Sequence, residues 1–130
     1  KKTLQNLERF FLEKVNQDNL KYNVLVTHFL ALCTPFFRNA KRSGIEYIIA
    51  VDHNPRPLNG FPFSKIIKNK IKGIFYSRYI NRFIGVSQYT RNHILKEYGF
   101  FLAQKTSVIY NGIDTSIFLP IDRILAKQSS

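Results

Sequence analysis

The sequence is poor in cysteine, in acidic residues and in long apolar runs. Its 130 residues include one cysteine, Cys33, so an intramolecular disulfide and a zinc-binding cysteine cluster are both excluded. We predict that Cys33 fills the core and that the protein works in a reducing compartment. No apolar run approaches the ~18 residues of a membrane-spanning helix, and the first residues lack the apolar core of a secretory signal. These absences predict a cytoplasmic protein that is soluble or peripheral at the inner face of the cell membrane.

Several enzyme classes also lack their motifs here. The chain has no Ser/His/Asp nucleophile set, no Gly-rich phosphate loop and no cluster of metal ligands. His28 and His53 alone make a poor metal site, because catalytic zinc usually has three protein ligands. This pattern argues against a hydrolase, a kinase or a metalloenzyme, and neither a metal nor a cofactor is expected.

Basic residues dominate the charge. The chain has 20 Lys and Arg against 8 Asp and Glu, a formal charge of +12, which predicts attraction to anionic surfaces. The densest basic tract consists of Lys65, Lys68, Lys70, Lys72, Arg78 and Arg82. It can be a solvated helix face, a basic amphipathic segment resting on an anionic bilayer, or a nucleic-acid contact. No helix-turn-helix, RRM or KH signature supports the last interpretation.

Short apolar strands alternate with helical segments along the chain. We predict strands at 22–27, 47–51, 83–86 and 107–110 and helices at 3–15, 34–42, 64–79 and 89–98. A start of the second helix near Leu30, with a kink at Pro35, is an alternative. The alternation predicts an α/β fold, a parallel Rossmann-like sheet of about four strands with flanking helices.

The helix ends and faces can be predicted as well. Thr34, Ser64 and Ser87 are expected N-caps, and Gly44 and Gly99 are expected to end helices. In the third helix, the apolar positions Ile67, Ile71, Ile74 and Phe75 are expected to face inward, with the lysines largely outward.

Polar residues follow the strands where a parallel sheet gathers its carboxyl ends. They are His28, His53, Asn54, Ser87, Asn111, Gly112 and Asp114. Open α/β sheets bind ligands at that edge, so His28 and His53, and likewise Ser87 and Asn111, are expected to face one cleft. Structural alternatives remain open: the histidines can bond loop backbone, Ser87 can serve only as a cap, and Asn111-Gly112 can be a simple turn. Arg56, in a proline-rich loop, is a candidate for an anionic acceptor group or a plain surface arginine.

Two segments carry a resemblance to a known family. Phe83-Ile84-Gly85-Val86-Ser87, and Val108 to Asp114 followed by Phe118 and Pro120, resemble the N-terminal domain of GT-B glycosyltransferases of family 4. The resemblance covers roughly 22–120. It implies that 1–120 form part of an acceptor-side Rossmann-like domain and that 121–130 are a polar tail towards a donor-binding domain. The family's first strand, with its Gly-rich turn, and its second domain find no match, so the chain alone is expected to be inactive.

The resemblance also implies an activity and a site. The activity is hexosyltransferase-like: retaining transfer from a nucleotide sugar to a hydroxyl acceptor, in cell-surface polysaccharide or glycolipid synthesis, with the nucleotide sugar as substrate and no cofactor. The implied catalytic residue is His53, and the implied substrate-binding residues are His28, Asn54, Arg56, Ser87, Asn111, Gly112 and Asp114. The implied partner is a carbohydrate or lipid-linked acceptor, whereas an anionic membrane surface is expected from the basic tract itself. The rival hypothesis is a basic α/β module that binds nucleic acid or an acidic partner without catalysis.

Overall fold

A computed structural model describes residues 2–17, 22–54, 56–57 and 60–112 of the chain. The elements in chain order are α1 (Lys2–Gln17), β1 (Val24–His28), α2 (Pro35–Arg42), β2 (Tyr47–Asp52), α3 (Phe63–Tyr76), β3 (Arg82–Gly85), α4 (Gln88–Tyr98) and β4 (Thr106–Val108). Short 3-10 segments, Ser77–Tyr79 and Phe100–Lys105, follow α3 and α4. Asp114, Phe118, Pro120 and the tail 121–130 lie outside the described residues.

The four strands form one sheet in the order β1-β2-β3-β4, and every neighbouring pair is parallel. In the register, His28 lies beside Val51, and Asp52 lies beside Gly85. Gly85 in turn lies beside Val108, so the carboxyl ends of all four strands meet at one edge. The predicted α/β fold with a parallel, Rossmann-like sheet is therefore confirmed.

The core lies between the sheet and its helix layer. Ile48, Ala50 and Phe83 alternate along β2 and β3 and are fully buried, in one cluster with Phe37 of α2 and Ile94 of α4. Strand residues facing the other way are more exposed, as shown by Val24 and Val26 of β1 at 56% and 48%. Because successive side chains of a strand point to opposite faces of the sheet and only one face is buried, burial alternates along the strands.

Most helix ends follow their sequence signals. Ser87 caps α4, because its hydroxyl accepts a hydrogen bond from the Thr90 amide at 3.1 Å. α2 begins at Pro35, so the alternative start near Leu30 is wrong. Thr34 occupies the N-cap position of α2 without a side-chain cap bond.

The start of α3 and the end of β4 differ from prediction. α3 begins at Phe63 with Pro62 in the cap position, so Ser64 lies inside the helix and is not its cap. β4 ends at Val108, which leaves Ile109 and Tyr110 beyond the strand and exposed.

The predicted orientation of α3 is wrong. Ile67, Ile71, Ile74 and Phe75 are between 43% and 64% exposed, although their apolar character predicted an inward face. The buried residues of α3 are Asn69 and Gly73. A Cβ atom at position 73 would overlap the carbonyl oxygen of Tyr98, so the missing side chain is what lets the backbones of α3 and α4 approach.

Candidate functional site

Two histidines meet at the carboxyl edge of the sheet. His28 is the last residue of β1 and His53 follows β2, and the His28 Nδ1 and His53 Nε2 atoms are 3.0 Å apart. The Phe29 ring stacks on His53, with centroids 4.6 Å apart and planes 25° from parallel. Neighbouring parallel strands bring these residues together, as the sequence predicted.

The hydrogen bond between the two rings restricts their protonation. One ring nitrogen must donate and the other must accept, so the accepting imidazole is neutral while the bond exists. One nitrogen remains on each ring, so the pair presents one hydrogen-bond acceptor and one donor to a ligand. Such an arrangement suits a ligand with hydroxyl groups, which both donate and accept.

A buried ionic network lies directly behind His53. The Arg56 side chain is 5% exposed, and its Nη2 and Nε atoms contact Asp52 Oδ2 at 2.5 Å and Glu97 Oε1 at 2.7 Å. Its Nη1 also donates to the backbone oxygen of Asn54 at 2.6 Å. Asp52 Oδ1 accepts hydrogen bonds from the amide and the side chain of Asn54, both at 3.0 Å. The network thus fixes the backbone on either side of His53.

The electrostatics of this network keep Arg56 charged. Burial alone would lower the pKa of its guanidinium, but the hydrogen bonds and charges of Asp52 and Glu97 overcome burial and raise it above its usual value. The His93 Nδ1 atom lies 3.8 Å from Glu97 Oε1 and adds a partly exposed partner. One guanidinium facing two carboxylates leaves a local excess of negative charge, close to Lys65 and Lys72 of the adjoining cavity.

That cavity, of about 420 Å³, opens between the network and α3. Its lining includes Phe29, Asn54, Phe61 and Lys65. The Lys65 ammonium lies over the Phe61 ring, 3.3 Å from its centroid, and this contact shapes one wall. The cavity thus combines apolar, amide, acidic and cationic groups. Neither histidine is among its lining residues, and it adjoins the pair through Asn54 and through Phe29, which stacks on His53.

The predicted residues divide between two parts of this edge. His28, His53, Asn54 and Arg56 converge, whereas Asn111 and Gly112 follow β4 and are exposed, with β3 between them and β2. The Ser87 hydroxyl bonds within its own capping turn, to the Thr90 amide at 3.1 Å and hydroxyl at 3.0 Å. Asp114 lies outside the described residues.

Arg56 is buried, so the alternative of a surface arginine is wrong. Its guanidinium is occupied by two carboxylates and a carbonyl oxygen. The geometry therefore makes Arg56 a residue that positions the loop around His53.

Sequence reasoning missed Glu97 and Phe29. Glu97 lies three residues after the buried Ile94 on α4, and that helical spacing puts it on the inward face. The spacing was a usable signal, because an inward carboxylate needs a cation. Phe29 is exposed and has a positive φ of 60°, a conformation that no local pattern predicted.

The described residues contain neither a candidate metal site nor a candidate membrane-spanning helix. Over these residues, no three His, Cys, Asp or Glu side chains are grouped to hold a metal ion. Likewise, none of the helices described above is both long and apolar enough to cross a membrane.

The four-stranded, all-parallel sheet with flanking helices defines a Rossmann-like α/β domain, and its carboxyl edge is where open sheets of this kind bind ligands. In a comparison with protein families, the family described as Glycosyltransferase Family 4 matches residues 4–117 of this chain. The chain belongs to this family and contains a partial N-terminal domain of the GT-B type, which confirms the resemblance seen in the sequence. No curated protein matches the sequence significantly.

Proposed function

We propose that this chain supplies the acceptor side of a retaining glycosyltransferase that moves a hexose from a nucleotide sugar to a hydroxyl acceptor. The observation that carries the proposal is the His28–His53 pair at the carboxyl edge of a family 4 sheet. In the reaction, the acceptor hydroxyl oxygen bonds to the anomeric carbon, the bond from that carbon to the nucleoside diphosphate breaks, and the hydroxyl proton passes to the departing diphosphate.

We assign His53 to the reacting centre, where it orients sugar hydroxyl groups by hydrogen bonding. Three contacts restrict the position of the imidazole: the stacked Phe29 ring, the hydrogen bond to the His28 nitrogen, and the hydrogen-bonded backbone of Asn54. Holding a reacting group in place before the reaction lowers the entropic barrier. His28 acts as the second hydrogen-bonding group of the pair.

The acceptor and the donor occupy different parts of the edge. Asn54 and Arg56 both line the cavity and are assigned to acceptor contact, and Arg56 also holds the loop that shapes the cavity. Ser87, Asn111, Gly112 and Asp114 are assigned to the donor side, towards a donor-binding domain. Closure of two domains around the substrates would exclude water and so favour transfer over hydrolysis.

The acceptor is assigned to cell-surface polysaccharide or glycolipid synthesis at the inner face of the cell membrane. A carbohydrate or lipid-linked acceptor is favoured because the cavity joins apolar residues to cationic ones and the chain carries a formal charge of +12. No bound metal is assigned to the mechanism.

The test is transfer from a panel of nucleotide sugars by a protein that joins this chain to a donor-binding domain. Release of nucleoside diphosphate should depend on an added hydroxyl acceptor, and NMR of the product should show the anomeric configuration of the donor. Because one wall of a cleft cannot enclose both substrates, the 130-residue chain alone should not turn over. An inverted product, or turnover by the isolated chain, would contradict the corresponding part of the proposal.

A further inference from the structure

The outer face of α3 is an exposed apolar stripe. Its members are Phe63, Ile67, Ile71, Ile74 and Phe75, with exposed fractions of 77%, 43%, 49%, 64% and 57%. Phe63, Ile67, Ile71 and Phe75 recur every four residues, and Ile74 lies three residues after Ile71, so all five lie within one face of the helix. The buried Asn69 and Gly73 lie on the opposite face, which fixes the stripe towards solvent.

Exposed lysines border this stripe. At 100° per residue, Lys68 and Lys72 fall on one side of it and Lys70 on the other. Arg78 is exposed just beyond the end of α3. The chain has no Asp or Glu between Asp52 and Glu97, and these two carboxylates pair with Arg56, although they line the same cavity as Lys72.

We propose that this face of α3 docks on an anionic lipid bilayer. Apolar side chains with basic residues on both flanks match the boundary between acyl chains and phosphate groups, because lysine can bury its stem while its ammonium reaches the phosphates. Nucleic acid would attract the lysines but would leave five large apolar side chains in water. Two copies paired through α3 would bring their lysine rows together, and like charges repel.

Docking by this face has a consequence for the proposed active site. Phe61, Lys65 and Lys72 lie in or next to α3 and also line the cavity that contains Asn54. The bilayer would therefore lie close to this cavity, which suits an acceptor whose lipid part stays in the membrane. This consequence rests on the proposed function, whereas the docking itself does not.

The first experiment measures binding of the 130-residue chain to vesicles without any nucleotide sugar. We expect sedimentation with vesicles of phosphatidylglycerol and phosphatidylcholine, and at least tenfold weaker binding to phosphatidylcholine alone. Lys68→Ser together with Lys70→Ser, one on each side of the stripe, should weaken binding about twenty-fivefold, since each basic residue near an anionic surface contributes about fivefold. The matched control, Lys14→Ser with Lys105→Ser, removes the same charge from exposed positions on α1 and next to β4, and should change binding less than threefold.

A second pair of variants tests the apolar stripe. Phe63→Ser should weaken vesicle binding at least fivefold, whereas Phe100→Ser, at a residue of similar exposure (74%, against 77% for Phe63), should not. Both side chains are exposed, so both variants should fold, and circular dichroism verifies this.

The proposal fails if neutral and anionic vesicles bind equally, or if the variants on α3 match their controls. It also fails if the chain binds DNA or RNA without binding vesicles, or if Phe63→Ser abolishes only a dimer. None of these outcomes affects sugar transfer measured with a water-soluble acceptor, so the two proposals fail separately.

Discussion

Arg56 is the cation that pairs with two buried carboxylates, and it ties the loop after β2 to α4. Replacing it by alanine would leave Asp52 and Glu97 without this counter-charge. We expect Arg56→Ala to lower the free energy of unfolding by about 3–5 kcal/mol, because breaking a buried ion pair leaves an uncompensated charge. Urea denaturation measures this loss.

The matched control for that variant is Arg9→Ala. The Arg9 side chain is 82% exposed and pairs with Glu13 on the surface of α1 at 2.8 Å. An exposed pair contributes less than about 1 kcal/mol, so this variant should remain near the stability of the parent. Equal losses for the two arginines would show that the buried network does not brace the loop.

Cys33 predicts how stability changes at alkaline pH. Burial raises the pKa of its thiol from 9.0 to about 12, although the charge of Lys72 opposes the shift. The stability that comes from the buried neutral thiol is complete below pH 9 and declines as the pH rises towards 12. Between pH 8 and pH 10, we expect the parent to lose about 1.4 kcal/mol more than Cys33→Ala does.

Urea unfolding of both proteins at the two pH values checks this prediction. Tyr98 is a second buried acid, and burial raises its pKa as well, so it adds a loss of the same sign in both proteins. Because the charge of Cys33 also raises the Tyr98 pKa, the difference between the two proteins reports the thiol together with this effect on Tyr98. Identical pH slopes would mean that Cys33 ionises as easily in the folded chain as in the unfolded one.

Residue types predicted some of the site but not all of it. A lone cysteine predicted a core position, because free cysteine is among the most buried residue types, and Cys33 is fully buried. Histidines at the ends of neighbouring parallel strands predicted the contact between His28 and His53. The burial of Arg56 could not be predicted, because it depends on Glu97, 41 residues away along the chain.

At the scale of the element, a close contact joins α3 to α4 at Gly73. On an exposed helix, Gly73→Ala would stabilise the protein by ~1 kcal/mol. Here a Cβ atom would meet the Tyr98 carbonyl, so we expect a loss of about 1–3 kcal/mol from overpacking.

Thermal or urea unfolding of Gly73→Ala distinguishes these outcomes by sign. Lys70→Ala is the control, because Lys70 is exposed on the same helix and should change stability by less than about 0.5 kcal/mol. A more stable Gly73→Ala variant would contradict the observed packing of α3 against α4.

The elements themselves were largely predictable, but the orientation of α3 was not. Short apolar and β-branched runs predicted all four strands, and the Ser87 cap predicted the start of α4. The apolar stripe of α3 indicated an inward face, since sequence periodicity identifies an amphipathic face without showing what covers it. Only the contact at Gly73 shows that this stripe points away from the core.

At the scale of the whole molecule, the parallel sheet gathers residues that lie far apart in the sequence. Parallel strand order brings His28, His53 and the turn at Asn111 to one edge, and the family 4 match covers 4–117. Fold class and edge were predictable because each βαβ crossover points its strands the same way. The cavity was not predictable, since it depends on side chains from three different segments of the chain.

The central claim is that this edge is the acceptor side of a sugar-transfer site with His53 at the reacting centre. The most direct measurement is the turnover number of His53→Ala in a protein that joins this chain to a donor-binding domain, with His93→Gln as the matched histidine control. We predict a fall of at least a hundredfold for His53→Ala, as for other groups that act at a reacting centre, and less than threefold for His93→Gln, with both variants folded. Unchanged turnover in folded His53→Ala would contradict the account.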